Sequence, residues 1–158
     1  MSTQIGIKSE HLDAVAQKLA ALLADEFLLS TKTKNAHWNV EGVDFLTKHT
    51  FFESQFEKLD DIIDDLAERI RSLGHYTPAT LKEFLQLTSL TEQSRSPNTS
   101  QGYMKELLAD HESIIIHLRE NINRFSNEFH DLGSSDFITN MLTTHEKMAW
   151  MLRAHIIN

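Results

Sequence analysis

The 158-residue chain contains no cysteine, which excludes disulfide frameworks, thiolate-held metals and cysteine nucleophiles together. It has only 2 prolines and 5 glycines, so few turns and long regular elements are expected. No run approaches the roughly 18 apolar residues that a membrane-spanning helix needs. The opening MSTQIGIKSEHLD has no basic stretch followed by an apolar core. It does not read as a signal peptide, and a cytoplasmic protein is expected. Positive charge is scarce as well: 15 Lys and Arg against 23 Asp and Glu give a formal net charge of −8. That balance disfavours nucleic acid, whose phosphates demand clustered Lys and Arg, and a negative field attracts cations. Glycine-rich nucleotide loops, H-E-x-x-H and G-x-S-x-G are all missing.

What is present is ordinary for one globular domain over residues 1–158: 41% hydrophobic and 24% charged residues. A chain of this size buries about 70% of its unfolded surface. Apolar residues recur at helical spacing. Leu12, Val15, Ala16, Leu19, Leu22, Leu23 and Phe27 predict a first helix from Ser9, as N-cap, to about Trp38. A short connection over Asn39 to Phe45 precedes a second helix, from about Leu46 to Leu73, with Gly74 placed as its C′ residue. Thr77 and Pro78 are expected to cap and start a shorter helix through Leu81, Phe84 and Leu85. Thr88 to Ser100 is polar and turn-rich, hence a loop. A third long helix is predicted over about Gly102 to Phe129, a break over Asp131 to Ser135, and a last helix from Ser135 to about Ile157. Period-2 alternation is not evident. The expected fold is all-α: a four-helix bundle with a short extra helix in the crossover between the second and third long helices.

The chemistry concentrates in H-W-N-V-x8-H-x14-D-x3-E, which contains His37, His49, Asp64 and Glu68. Imidazole with carboxylate suits iron or manganese better than a thiolate set would. Glu53 stands four residues after His49 and shares its face. On one helix, His49 and Asp64 lie about 22 Å apart along the axis and about 60° apart in rotation. One copy cannot close both on one metal. Two copies running antiparallel across a twofold axis could, and otherwise these are two incomplete sites. Glu57, Asp60, Asp61, Asp64 and Asp65 crowd like charge onto one helix; this is either a solvated face or a strain that a cation relieves. Trp38 is either an aromatic buried at a bundle end or a border of the metal that gives up an electron when stray oxidant forms. Trp150, Met148 and Met151 read as core. His111, His117, His145 and His155 lack acidic partners at ligand spacing and read as structural or surface residues. No Glu-x-x-His pair, the intrachain signature of di-iron bundles, is present.

The stretch from Ala24 to Gly74, A-D-E-F-x-L-x-T-K-T-x-N-x-H-W-N-V-x-G, F-x3-H and D-D-L-A-E-R-I-R-S-L-G, with H-E-K-M-A-W-M-L-R-A at His145 to Ala154, resembles the Dps family, mini-ferritins named as DNA-binding proteins from starved cells. The resemblance covers nearly the whole chain. It implies a homo-dodecameric shell holding ferric mineral and di-iron ferroxidase sites shared between subunits. His37, His49 and Glu53 would come from one subunit, Asp64 and Glu68 from its neighbour. The implied reaction is oxidation of Fe(II), preferably by hydrogen peroxide, which is reduced to water. Asp136, with Asp131 near it, corresponds to a carboxylate lining a threefold pore, or else Asp136 complements the N-terminus of the last helix.

Three features depart from the family pattern. Glu53 stands where aspartate is usual. Thr50 stands where glutamate often follows the second histidine, leaving nucleation to acids such as Glu57, Asp60 or Asp61. Only Lys8 is basic in the first eight residues, so direct DNA binding is expected to be weak or absent. Two other readings stay open: a mononuclear Fe(II) oxygenase on His37, His49 and Glu53, and a structural or DNA-compacting shell whose acids are only hydrated.

Overall fold

In the computed structural model, which describes residues 3–92 and 98–156, the chain forms five helices. α1 covers Ser9–Asn39, α2 Phe45–Ser72, α3 Leu81–Leu87, α4 Ser100–Asn127 and α5 Leu132–Ala154. Among the described residues a single isolated bridge, Glu41 to Thr99, takes the place of any sheet. The all-α expectation therefore holds.

α1 and α2 form one hairpin and α4 and α5 a second, with α3 packed on α1 in the crossover between them. Ser30 pairs with Asp60 near mid-helix while His37 pairs with His49 near the turn, which makes α1 and α2 antiparallel. Lys32 meets Asp110 and Asp25 lies near His117, so α4 runs opposite to α1 as well. Phe52, Leu59 and Leu66, spaced by seven, are fully buried along α2. They face Leu19 and Leu23 of α1, Ile114, Leu118 and Phe125 of α4, and Ile138 and Leu152 of α5 within one continuous core. Burying each such side chain contributes about 1.5–3 kcal/mol, and this apolar seam holds α2 in the bundle along its length.

The helix ends show where local chemistry was read correctly and where it was not. Gly74 follows α2 at φ 91°, with its N–H on the Arg71 carbonyl and that of His75 on the Ile70 carbonyl. This is the paired Schellman arrangement. A Cβ there would stand 2.0 Å from Thr3 Oγ1, so glycine is demanded by conformation and by space. Ser9 is not the N-cap: Lys8 holds that position without a side-chain bond, and Ser9 is already helical. Thr77 and Pro78 do not start α3. Thr77 donates to the Ala67 carbonyl instead, and Thr80 with Glu83 forms a reciprocal capping box one turn later. Thr99 caps α4 by accepting from the Gly102 N–H, so that helix starts before Gly102 and ends before Phe129. α5 begins at Leu132 rather than Ser135, because Asp131 accepts from the Ser134 N–H and seeds the helix three residues early. The middle of the expected 88–100 loop, residues 93–97, and the expected helix end at Ile157 lie outside the described residues.

Candidate metal centre

α2 is one uninterrupted helix that includes His49, Glu53, Asp64 and Glu68. The axial separation of about 22 Å between its two candidate clusters follows directly from 1.5 Å of rise per residue. Among the described residues, no three His, Asp or Glu side chains of one chain gather closely enough to hold a metal ion.

The histidine end is built with care. His37 and His49 stack with ring centroids 3.7 Å apart and planes 18° from parallel. Each ring is tied to the other residue's backbone: His37 Nδ1 lies 2.8 Å from the His49 carbonyl, and His49 Nδ1 lies 2.8 Å from the His37 carbonyl. A carbonyl can only accept, so both Nδ1 atoms carry the hydrogen and donate. Each neutral ring then keeps its lone pair on Nε2, the atom left to bind a cation. A second partner that fixes the tautomer in this way is the usual support of a metal-binding histidine. Phe45 stacks on His49 at 5.2 Å and Phe56 meets His37 edge-on at 5.3 Å, so aromatics flank the pair. His37 is buried, His49 half-buried and Glu53 exposed on the face it shares with His49.

At the other end of α2, Asp64 and Glu68 are both exposed, one turn apart. The intervening acids are not equivalent. Asp60 accepts from Lys34 at 2.9 and 2.8 Å and from Ser30 at 2.7 Å; it is already neutralised, whereas Glu57 and Asp61 are exposed. The acidic stripe is thus part ion pair and part open carboxylate.

Trp38 is 69% exposed, so it is not the buried bundle-end aromatic, and it stands on the surface next to His37. Trp150 is 61% exposed, against its reading as core; Met148 is buried and Met151 half-buried. Asp136 is exposed on the second turn of α5. Asp131 is 2% exposed, accepting from the Ser134 N–H and hydroxyl with Arg69 3.4 Å away. Its carboxylate caps the α5 N-terminus itself. That moves the dipole role expected for Asp136 onto Asp131.

Two buried polar groups were invisible to local spacing. His145 does have an acidic partner: its Nε2 lies 2.8 Å from Glu26 Oε1, with both side chains fully buried. Its Nδ1 lies 2.9 Å from Nδ1 of His111. Burial first, and the neighbouring His145 second, push the His111 imidazole well below its ordinary pKa. Lys32 reaches Asp110 at 2.6 Å and Glu106 at 3.2 Å and donates to the Thr91 carbonyl at 3.0 Å. Desolvation raises the Asp110 carboxyl although Lys32 opposes it. His117 lies 3.6 Å from Asp25, and His155 bonds the Met151 carbonyl. All these contacts cross between helices or close a helix end, so only the assembled bundle exposes them.

Comparison with known proteins agrees with this fold. Residues 16–158 match the ferritin-like domain family. A low temperature-induced protein of Nostoc sp. is 41% identical, over 96% of this chain and 85% of its own length. A DNA protection during starvation protein of Helicobacter pylori is 37% identical, over 87% of this chain and 95% of its own. The crystal structure of a Dps protein from Vibrio cholerae O1, described as a member of a broad superfamily of ferritin-like diiron-carboxylate proteins, superposes with a TM-score of 0.90. It is 27% identical and the match covers 97% of this chain and 95% of that one.

Proposed function

Since the chain belongs to the Dps family of ferritin-like proteins, we propose that it oxidises Fe(II), preferably with hydrogen peroxide, and stores the ferric product inside a homo-dodecameric shell. Iron is substrate and cargo. The observation that carries this reading is the reciprocal clamp on His37 and His49, which leaves both Nε2 atoms free to bind a cation, with Glu53 one turn beyond His49 on the same face of α2. Those three groups are half of a di-iron site, and Asp64 and Glu68 of a twofold-related subunit are the other half. An isologous interface pairs residue i with j and j with i, so one antiparallel α2 pair creates two such sites.

The electron count favours a pair of irons. Hydrogen peroxide takes two electrons as its O–O bond breaks, each Fe(II) supplies one, and two protons complete two waters. A single iron would deliver one electron and release hydroxyl radical. In this account Trp38, exposed beside His37, is the electron donor of last resort when a lone iron meets peroxide. Exposed Asp136 gathers Fe(II) by field focusing at the shell entrance, with Asp131 near it at the start of α5. No described helix is long and apolar enough to cross a membrane.

The test is to load the protein with Fe(II) anaerobically, add peroxide, and follow ferric absorbance together with particle mass. Oxidation far above the buffer rate within a particle much heavier than 18.2 kDa is expected. A monomer that oxidises no faster than buffer refutes the proposal. With −8 per chain, free duplex DNA is repelled, so we also expect no mobility shift at neutral pH and low salt without divalent cations. A salt-sensitive shift in that gel would contradict this part.

A further inference from the structure

We propose that Glu26, His145 and His111 form an acid-sensitive lock inside the bundle, a buried cluster that ties α1, α5 and α4 together near neutral pH and lowers the stability of the fold as pH falls. The links are the 2.8 Å approach of Glu26 Oε1 to His145 Nε2 and the 2.9 Å approach of the two Nδ1 atoms. Glu26 and His145 are 0% exposed and His111 is 1% exposed. The Glu26–His145 contact is a charge approach without hydrogen-bond alignment, and neither Glu26 carboxylate oxygen nor His145 Nε2 has a hydrogen-bond partner among the described residues.

The chemistry of the ring-to-ring link sets its sensitivity. Two imidazole nitrogens 2.9 Å apart need one N–H and one bare nitrogen between them. When both rings are fully protonated every ring nitrogen is a donor. The link is then lost, and two like charges share one buried carboxylate. In a water-excluded core that state carries a heavy desolvation penalty.

Among the described residues no other charge is placed to relieve it. From α1 the group facing the rings is Glu26, and from α5 it is His145 itself. The buried face of α2 is Phe52, Gln55, Leu59, Ile62, Leu66 and Ile70, with no titratable member, and α3 buries only Phe84. On α4, Asp110 precedes His111 but is engaged by Lys32. The depressed folded-state pKa of His111 gives the same sign: the unfolded chain takes up the proton first, so stability falls as pH drops below the ordinary histidine value.

The experiment is urea unfolding of the full chain at pH 7.5 and 5.5, at one fixed subunit concentration, for wild type and His111→Gln. The amide keeps a bonding group against His145 and cannot titrate. With an unfolded pKa of about 6.5 and no protonation in the folded state, the wild-type folding constant falls about tenfold more than that of the variant over this range. Equal pH dependence in the two proteins overturns the proposal. Should His111→Gln fail to fold, Glu26→Leu/His111→Leu/His145→Leu replaces the whole cluster by apolar side chains, which buried ionic groups commonly tolerate. The lock predicts a flatter pH response for that triple variant, and a response as steep as wild type refutes it.

Discussion

Alanine at both Asp64 and Glu68 is expected to slow peroxide-driven Fe(II) oxidation by on the order of 100-fold or more. Losing only a partner that orients a metal ligand already costs about 10–100-fold, and here two ligands disappear. Both residues are exposed, so the fold should remain within about 0.5 kcal/mol of wild type. Thermal unfolding and particle mass recorded on the same sample check that activity, and not structure, has been lost. The result also separates the alternatives. A mononuclear oxygenase built on His37, His49 and Glu53 would keep its activity, and a purely structural shell would have none to lose. An unchanged rate of iron oxidation removes the shared-site account.

The second large effect concerns stability. Lys32 lies 2.6 Å from Asp110 and 3.2 Å from Glu106, and its side chain and those of Glu106 and Asp110 are 9%, 8% and 13% exposed. Lys32→Met keeps the apolar stem but removes the ammonium from beside Asp110 in a poorly solvated groove, and removing one partner of a buried pair costs about 3–5 kcal/mol. The loss has a definite pH signature. Desolvation already holds the Asp110 carboxyl above its ordinary range, so the folded state binds its proton more tightly than the unfolded chain does. Stability from such a group is present below the unfolded value and is lost as pH rises through the folded one. Without Lys32 that rise is larger, so the variant should lie closest to wild type near pH 4.5 and furthest from it at pH 7.5. Denaturant midpoints at the two pH values measure this, and a deficit independent of pH would show that the acids are not the cause.

How much of this was legible in the sequence depends on range. The bundle was readable because helical periodicity is a local signal, and Leu12, Val15 and Leu19 announce their buried face within two turns. Gly74 was readable for the same reason, its conformation being set by the helix it ends. Starts were read less well. Ser9, Thr77 and Ser135 are all plausible caps, but Lys8, Thr80 and Asp131 hold those positions, because the choice among neighbouring polar residues is made by what each can reach after packing. Asp131 could have been suspected from its spacing of three to Ser134, an ordinary N-cap pattern. The two ends of the candidate metal centre were proposed from residue type and axial distance. The clamp that fixes the tautomers of His37 and His49 was not, since it joins side chains to carbonyls across two helices. His145 illustrates the limit most sharply. Its acid, Glu26, lies 119 positions away, and no window of sequence pairs them.

The central claim is that each site borrows acids from a neighbouring subunit, and mixed assembly tests it most directly. Subunits carrying His37→Ala/His49→Ala and subunits carrying Asp64→Ala/Glu68→Ala are each expected to be inactive alone. Unfolded together in equal amounts and refolded, they form mixed pairs in which one of the two sites receives intact histidines from one chain and intact acids from the other. With random pairing, about a quarter of the sites are restored, because an isologous interface holds two equivalent sites and half the pairs are mixed. Recovery of about a quarter of wild-type ferroxidase activity is the predicted result. Mixtures as inactive as their parents, although assembled to the same particle mass, would contradict the account.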